Sequence, residues 1–383
     1  MKHIAKLHAG VILVAFLLVS CEKDPIAPTE PQVSKASSLS KGAVEGSSNA
    51  VAAVSVFATG LNNPRGLKFG PDGYLYVAEG GAGGTNSTAG ICDQVIPPVG
   101  PYTGGSTARI SKISPAGVRS TVADNLPSSQ TSPALGGLVS GVADVEFVGN
   151  TLYALLAGAG CSHGFPSVPN GVIKINTDGS WTLIANLSAW QQTHPVANPE
   201  EDDFEPDGTW YSMINVRGDL YAIEPNHGEM VKITPSGDIS RVVDISATYG
   251  HVVPTSVAYH GDFYVGNLGL FPITEGSSNI YKISPSGGIK VWASGFTTVL
   301  GVAFDRQARM YVLENTTGNP FPTPGTGRIT RVNPSGAKET IVSGLFLPAA
   351  MTFGPDGKLY ISNIGFGPPP IGLGQVLQID VPE

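Results

Sequence analysis

Carboxylate and amide side chains that recur at a fixed offset from a repeated aromatic residue are the first place to look for chemistry in this sequence. Three residues beyond each of six tyrosines the 383-residue chain carries Glu79, Leu156, Glu224, Asn267, Glu314 and Asn363. Five of these six have a side-chain oxygen, and oxygens brought from several loops suit a hard cation such as Ca²⁺. Two readings stand side by side. Either each residue caps its own loop by accepting backbone N–H bonds, or the five form a partial ring, broken at Leu156, that binds a cation or a polar ligand.

Other groups lie close to this series. The run Glu200-Glu201-Asp202-Asp203-Phe204-Glu205-Pro206-Asp207 holds six acids in eight residues, which reads as solvated surface or as a Ca²⁺ site through Asp202, Asp203 or Asp207. Its spacing is not that of an EF-hand loop. Glu224, Asn226, His227 and Glu229 crowd one short segment, and His163 stands two residues after Cys161. A histidine among carboxylates can ligate a metal, act as a general base, or simply hydrogen-bond. No HExxH, GxSxG, P-loop or dinucleotide fingerprint occurs.

The elements that must position these residues follow from an internal repeat. A hydrophobic-Tyr-hydrophobic strand occurs at Tyr76, Tyr153, Tyr221, Tyr264, Tyr311 and Tyr360. An apolar strand and a tight turn precede each copy, as in Gly70-Pro71-Asp72-Gly73 and Gly354-Pro355-Asp356-Gly357. A third strand follows after a loop of variable length, then a second tight turn and a fourth strand. The sixth repeat lacks its fourth strand, and Ser55-Val56-Phe57-Ala58-Thr59-Gly60-Leu61 near the start matches Thr340-Ile341-Val342-Ser343-Gly344-Leu345. The expected fold is therefore all-β: a six-bladed β-propeller of four-stranded antiparallel blades over residues 51–383, closed by an N-terminal strand that completes the last blade. Closure of this kind removes open sheet edges.

In such a blade the short first-to-second and third-to-fourth turns share one face. Long second-to-third loops near residues 80–108, 157–170, 267–279, 315–327 and 363–374, with the link at 190–209, share the other. Loops held by a rigid scaffold carry function, so the loop-rich face is the expected working surface. Composition narrows the partners. Lys+Arg 22 against Asp+Glu 30 gives a net charge of −8, and without a basic stripe nucleic acid is excluded. Only 14% of residues are charged, which suits neither long surface helices nor coiled coils.

Residues 1–20 read as a signal peptide, with Lys2 and Lys6 before an apolar run at 10–19. The run ends in Leu18-Val19-Ser20-Cys21, the pattern of a bacterial lipoprotein processing site, so Cys21 is the expected lipidation position and residues 21–50 a flexible tether. The protein is expected to be a cell-envelope lipoprotein on the outer membrane or cell surface, periplasmic or extracellular, held to the membrane by lipid alone. Cys92 and Cys161 fall in corresponding loops of neighbouring repeats and are expected to pair in that compartment; two free thiols are the alternative.

The run from Pro64-Arg65-Gly66-Leu67 through Pro71-Asp72-Gly73 to Leu75-Tyr76-Val77-Ala78-Glu79 resembles an NHL-type repeat, as does Glu224-Pro225-Asn226-His227 with Val231-Lys232-Ile233. More narrowly, residues 54–381 resemble the ScyD/ScyE family, through Cys92, Pro101-Tyr102-Thr103-Gly104-Gly105, Gly158-Ala159-Gly160-Cys161-Ser162-His163-Gly164 and Asn198-Pro199 leading to Pro206-Asp207-Gly208. That resemblance implies an exported six-bladed propeller without a settled biochemical role. The lipoprotein start departs from members encoded with pigment biosynthesis, so no pigment function is carried over. Gluconolactonase-type propellers share the architecture, but their metal-binding Asn and Asp lie where this sequence has Arg65, Val142, Ser212, Ser256, Gly301 and Ala350 at the inner-strand starts.

The expected function is thus a monomeric binding or scaffold propeller whose loop-rich face recognises a small molecule, a glycan or a protein. The candidate ligand-binding residues are Glu79, His163, Glu224, Asn226, His227, Asn267, Glu314 and Asn363. The alternative is a divalent-metal-dependent enzyme of lactonase, lyase or oxidoreductase type, with its site at the channel mouth.

Overall fold

The computed structural model describes residues 52–199, 204–333, 335–365 and 372–382. The expected signal peptide, Cys21 and the expected tether lie outside the described residues. The chain opens with β1 (Ala53–Leu61) and then builds blade one from β2 (Pro64–Phe69), β3 (Leu75–Glu79), β4 (Thr103–Ile113) and β5 (Arg119–Gln130), to which a short β6 (Val139–Ser140) adds a fifth strand. Blade two is β7 (Val142–Val148), β8 (Thr151–Leu156), β9 (Gly171–Ile175) and β10 (Trp181–Asn186), followed by the helix α1 (Leu187–Thr193). Blade three is β11 (Ser212–Val216), β12 (Asp219–Glu224), β13 (Glu229–Ile233) and β14 (Ile239–Asp244), followed by the single-turn α2 (Ser246–Tyr249).

Blade four is β15 (Pro254–His260), β16 (Asp262–Asn267), β17 (Ser278–Ile283) and β18 (Ile289–Phe296). Blade five is β19 (Val299–Phe304), β20 (Met310–Glu314), β21 (Gly327–Val332) and β22 (Lys338–Leu345). Blade six combines β23 (Ala350–Phe353), β24 (Leu359–Asn363) and β25 (Gly374–Asp380) with β1, in the order β1-β25-β24-β23. Val56 pairs with Leu377 and Ala53 with Asp380, so the first strand closes the last sheet as the repeat requires. No helix among the described residues is long and apolar enough to cross a membrane.

The core is divided into six apolar clusters, one between each pair of neighbouring blades. This explains the repeated tyrosine. Tyr76 meets Phe147 edge-on at 4.9 Å, Tyr264 meets Phe304 at 5.1 Å, and Tyr311 meets Phe353 at 5.1 Å, each Phe standing on the inner strand of the following blade. Tyr360 meets Phe69 at 4.9 Å and so carries the same contact across the closure. Edge-to-face pairs of this kind add about 1 kcal/mol beyond area burial. The phenols of Tyr76 and Tyr360 also donate to Asp72 and Asp356 of their own first turns, each at 2.9 Å.

Four of the third-to-fourth turns, those of blades one to four, dock on the preceding blade. A Cβ at Gly179, Gly237 or Gly287 would stand 2.8, 2.3 or 2.6 Å from a carbonyl oxygen of that blade's outer strand, and one at Gly117 would stand 2.4 Å from Phe57 O of β1. With φ between 79° and 99° at these four positions, only glycine satisfies both the turn and the approach. In blade one, β4 and β5 run on past the sheet through several bulges to reach the loop-rich face. The first loop therefore ends at Thr103 rather than at residue 108.

Candidate functional site

The residues three beyond the tyrosines end their second strands with their oxygens engaged. Glu79 is buried and accepts Asn62 N at 2.6 Å, Arg109 Nε at 2.8 Å and the Ser111 hydroxyl. Glu314 accepts Thr297 N at 2.7 Å and Arg328 Nη2 at 2.9 Å. Glu224 accepts Thr209 N at 3.0 Å and His227 N, and Asn363 accepts Phe346 N at 3.0 Å. Asn267 accepts Asn279 N at 2.6 Å and donates to Val252 O at 2.7 Å. In four of the five the backbone donor belongs to the link that leads into the same blade, 15 to 17 residues earlier. Each such side chain ties its blade's second strand to the link entering that blade. Leu156 makes no such tie; in blade two Asn170, just before β9, accepts Ala159 N at 2.7 Å and donates at 2.7 Å to Gly208 O of the link that leaves the blade.

Asp202 and Asp203 lie outside the described residues. Asp207 is buried and accepts both the backbone N–H and the hydroxyl of Ser162, at 2.8 and 2.7 Å. His227 is buried against Phe204, ring to ring at 5.1 Å, with its Nε2 lacking a hydrogen-bond partner. Burial pushes the neighbouring Glu229 carboxyl up to about 7, against the pull of Arg241 at 2.6 Å. Among the described residues no three His, Cys, Asp or Glu side chains gather as a metal centre. Cys92 and Cys161 form a disulfide, with Cα atoms 6.3 Å apart, which links the long loop of blade one to that of blade two.

A cavity of about 220 Å³ opens on the loop-rich face, over the mouth of the central channel. Its walls are mainly apolar and aromatic, with Tyr102, Trp210, Tyr211, Val139 and Leu300 as the large surfaces. The polar groups are few: Arg65, Thr131, Ser140, Glu205, Thr209, Asn226 and His251. The Arg65 guanidinium lies over the Tyr211 ring, 5.9 Å from its centroid, and donates to Val139 O. Asn226, a sequence candidate, lines the cavity; its Oδ1 accepts the Thr209 hydroxyl.

His163 lies behind this wall, fully buried. It stacks on Tyr102 at 4.5 Å, and its Nδ1 is 2.8 Å from the Ser129 hydroxyl. Glu205 accepts the Tyr102 hydroxyl at 2.8 Å on Oε1 and sets Oε2 3.7 Å from His163 Nε2. Burial pulls the imidazole down to about 4, opposed by the charge of Asp207. At neutral pH the ring is therefore neutral and serves as the backing of a cavity wall.

Beneath the cavity, inner strands of all six blades line a channel of about 330 Å³, which shares Leu300 with it. Asp144 accepts Met213 N and Val145 N at 2.8 Å, and Glu146 holds Lys68 at 2.7 Å. Burial pushes the Asp144 carboxyl up to about 7, the two N–H bonds opposing and Glu146 reinforcing the shift. A Cβ on Gly66 would collide with Asp144 at 1.8 Å, so the inner strand of blade one has no side chain there to compete with this carboxylate.

The cavity walls come from inner-strand starts, interblade links and second-to-third loops, and the residues that line it carry no period in the sequence. Sequence reading placed Arg65 at a strand start and Tyr102 within a motif, but nothing marked Trp210, Tyr211 or His251.

The molecule is a six-bladed β-propeller with a cavity at its loop-rich mouth. Comparison with known proteins finds the same architecture at low identity. A Thermus thermophilus protein assigned as an oxidoreductase of the glucose dehydrogenase type superposes with a TM-score of 0.53 at 16% identity, covering 86% of this chain and 100% of that one. A Bacteroides thetaiotaomicron protein of unknown function gives 0.55 at 10% identity, covering 86% and 76%. A Xanthomonas campestris gluconolactonase gives 0.52 at 12% identity, covering 86% and 90%. No family model and no curated protein matches the sequence.

Proposed function

We propose that this chain is a small-molecule-binding propeller, of the ScyD/ScyE type that its motifs resemble, exported and anchored through lipid at Cys21. The observation that carries the reading is the cavity at the loop-rich mouth. It has a few polar groups set among aromatic and aliphatic walls, the usual make-up of a ligand pocket. The carboxylates that a metal-dependent lactonase or lyase would need are spent elsewhere: Glu79, Glu224 and Glu314 serve backbone N–H groups, and Glu79 and Glu314 hold arginines as well. The binding reading therefore stands ahead of the enzymatic one.

The test is a thermal-shift screen of small polar and aromatic metabolites against the purified chain and against Ser140→Trp, which puts an indole into the cavity from its wall. Compounds that stabilise the native protein should lose that effect in the variant. Compounds that stabilise both alike, or a screen with no stabilising compound, would refute the reading.

A further inference from the structure

The central channel carries a charge pattern that the packing of the blades does not require. On each inner strand one residue pairs with the repeated tyrosine of its blade, as Lys68 does with Tyr76 and Glu146 with Tyr153. This register sets those six residues at one level of the channel. Two positions earlier, nearer the loop-rich mouth, the strands present Gly66, Asp144, Ser212, Ser256, Gly301 and Ala350. All six line the channel. Five of them are small, so this level stays open around one carboxylate and two hydroxyls.

The charges of the channel do not cancel. Among the described residues that line it, Lys68 is the one basic side chain and Asp144 and Glu146 are the two acidic ones, so one positive and two negative charges leave −1. Lys68 is taken by Glu146 at 2.7 Å. Asp144 accepts Val145 N and Met213 N at 2.8 Å and the Ser212 hydroxyl at 3.3 Å, none of which brings a full charge. A second observation marks the same level. Ser256 is 4% exposed, yet its Oγ has no hydrogen-bond partner in the protein, whereas buried side-chain polar atoms are as a rule partnered.

We propose that the channel binds one alkali-metal ion, Na⁺ or K⁺, at Asp144, with the hydroxyls of Ser212 and Ser256 as neutral oxygen ligands. One positive charge neutralises the channel. A divalent ion would leave an excess positive charge away from bulk water, which is costly, and a dedicated Ca²⁺ site draws on several carboxylates. Among the described residues no three acidic, His or Cys side chains gather. The site uses none of the cavity's polar residues, so it stands or falls independently of the cavity's ligand.

The experiment follows urea unfolding of the purified full chain near pH 8.5, where the Asp144 carboxyl is charged, as NaCl or KCl replaces N-methylglucamine chloride at constant ionic strength. The unfolding midpoint should climb and then level off as the ion saturates the native state. Asp144→Asn should weaken the apparent affinity for the ion by about tenfold or more. Ser256→Ala, which removes only a hydroxyl without a partner, should weaken it by about fivefold. A midpoint indifferent to both salts, or a rise of equal size in native protein and both variants, would overturn the proposal. A rise given by methylammonium chloride and by neither alkali salt would overturn the metal-ion assignment. Calcium chloride acting at far lower concentration than either salt would overturn the single-charge argument.

Discussion

Replacing the buried His163 by Phe isolates a pH dependence whose direction follows from the burial of its ring. The imidazole is held neutral by burial, with its acidity constant pulled down to about 4 from an ordinary 6.5. In the unfolded chain the same ring takes up a proton as the pH drops below about 6.5, while the folded chain refuses it until about 4. Stability contributed by the neutral ring is therefore complete above the unfolded value and is lost as the pH falls toward the folded one. A shift of this size corresponds to about 3 kcal/mol, with a slope no steeper than about 1.4 kcal/mol per pH unit. His163→Phe keeps a ring against Tyr102, gives up the bond to Ser129, and cannot titrate. Urea unfolding of both proteins between about pH 7 and 4 cancels the carboxylates they share, leaving the difference to report this one group. The native protein should lose about 3 kcal/mol more than the variant over that range. A constant difference would refute the burial argument. A native protein gaining on the variant as the pH falls would mean that Glu205, 3.7 Å from Nε2, captures the proton in an ion pair.

Two further outcomes follow from the scaffold. Breaking the Cys92–Cys161 disulfide, which spans 69 residues, should lower stability by about 4 kcal/mol in the chain-entropy limit. Equilibrium unfolding of the Cys92→Ser, Cys161→Ser double variant measures this, and unfolded, unreduced native material should show neither of these two thiols to a thiol reagent. Glu314→Ala leaves Arg328 and Thr297 N without their buried acceptor and should cost about 3 kcal/mol, whereas Glu314→Gln, which retains an acceptor, should cost less; an unchanged denaturation midpoint for the alanine variant would contradict the clamp.

The architecture was legible in the sequence and the cavity was not, for one physical reason. Each blade must bury the same faces against its neighbours, so Tyr76, Tyr264, Tyr311 and Tyr360 recur because their contact with the following blade recurs. The glycines at 117, 179 and 237 recur because each turn docks on a carbonyl of the preceding blade. Closure by β1 could be read from the sequence because the match to residues 340–345 repeats an outer strand, and the docking of Gly117 on Phe57 is the contact that match foretells. Glu79, Glu224, Glu314 and Asn363 stand at a fixed offset for a similar reason, since every one of these blades has a link whose N–H needs an acceptor at that point.

A ligand site at the axis obeys the opposite logic. Six equivalent blades present six equivalent edges to the channel, and a single asymmetric ligand can be held only where that equivalence is broken. Arg65, Tyr102, Trp210, Tyr211 and His251 line the cavity from one strand start, one long loop and two links, and none has a counterpart of the same type around the whole ring. On the proposed binding reading, the periodic residues report on the scaffold and the ligand-binding residues are the ones that interrupt the period.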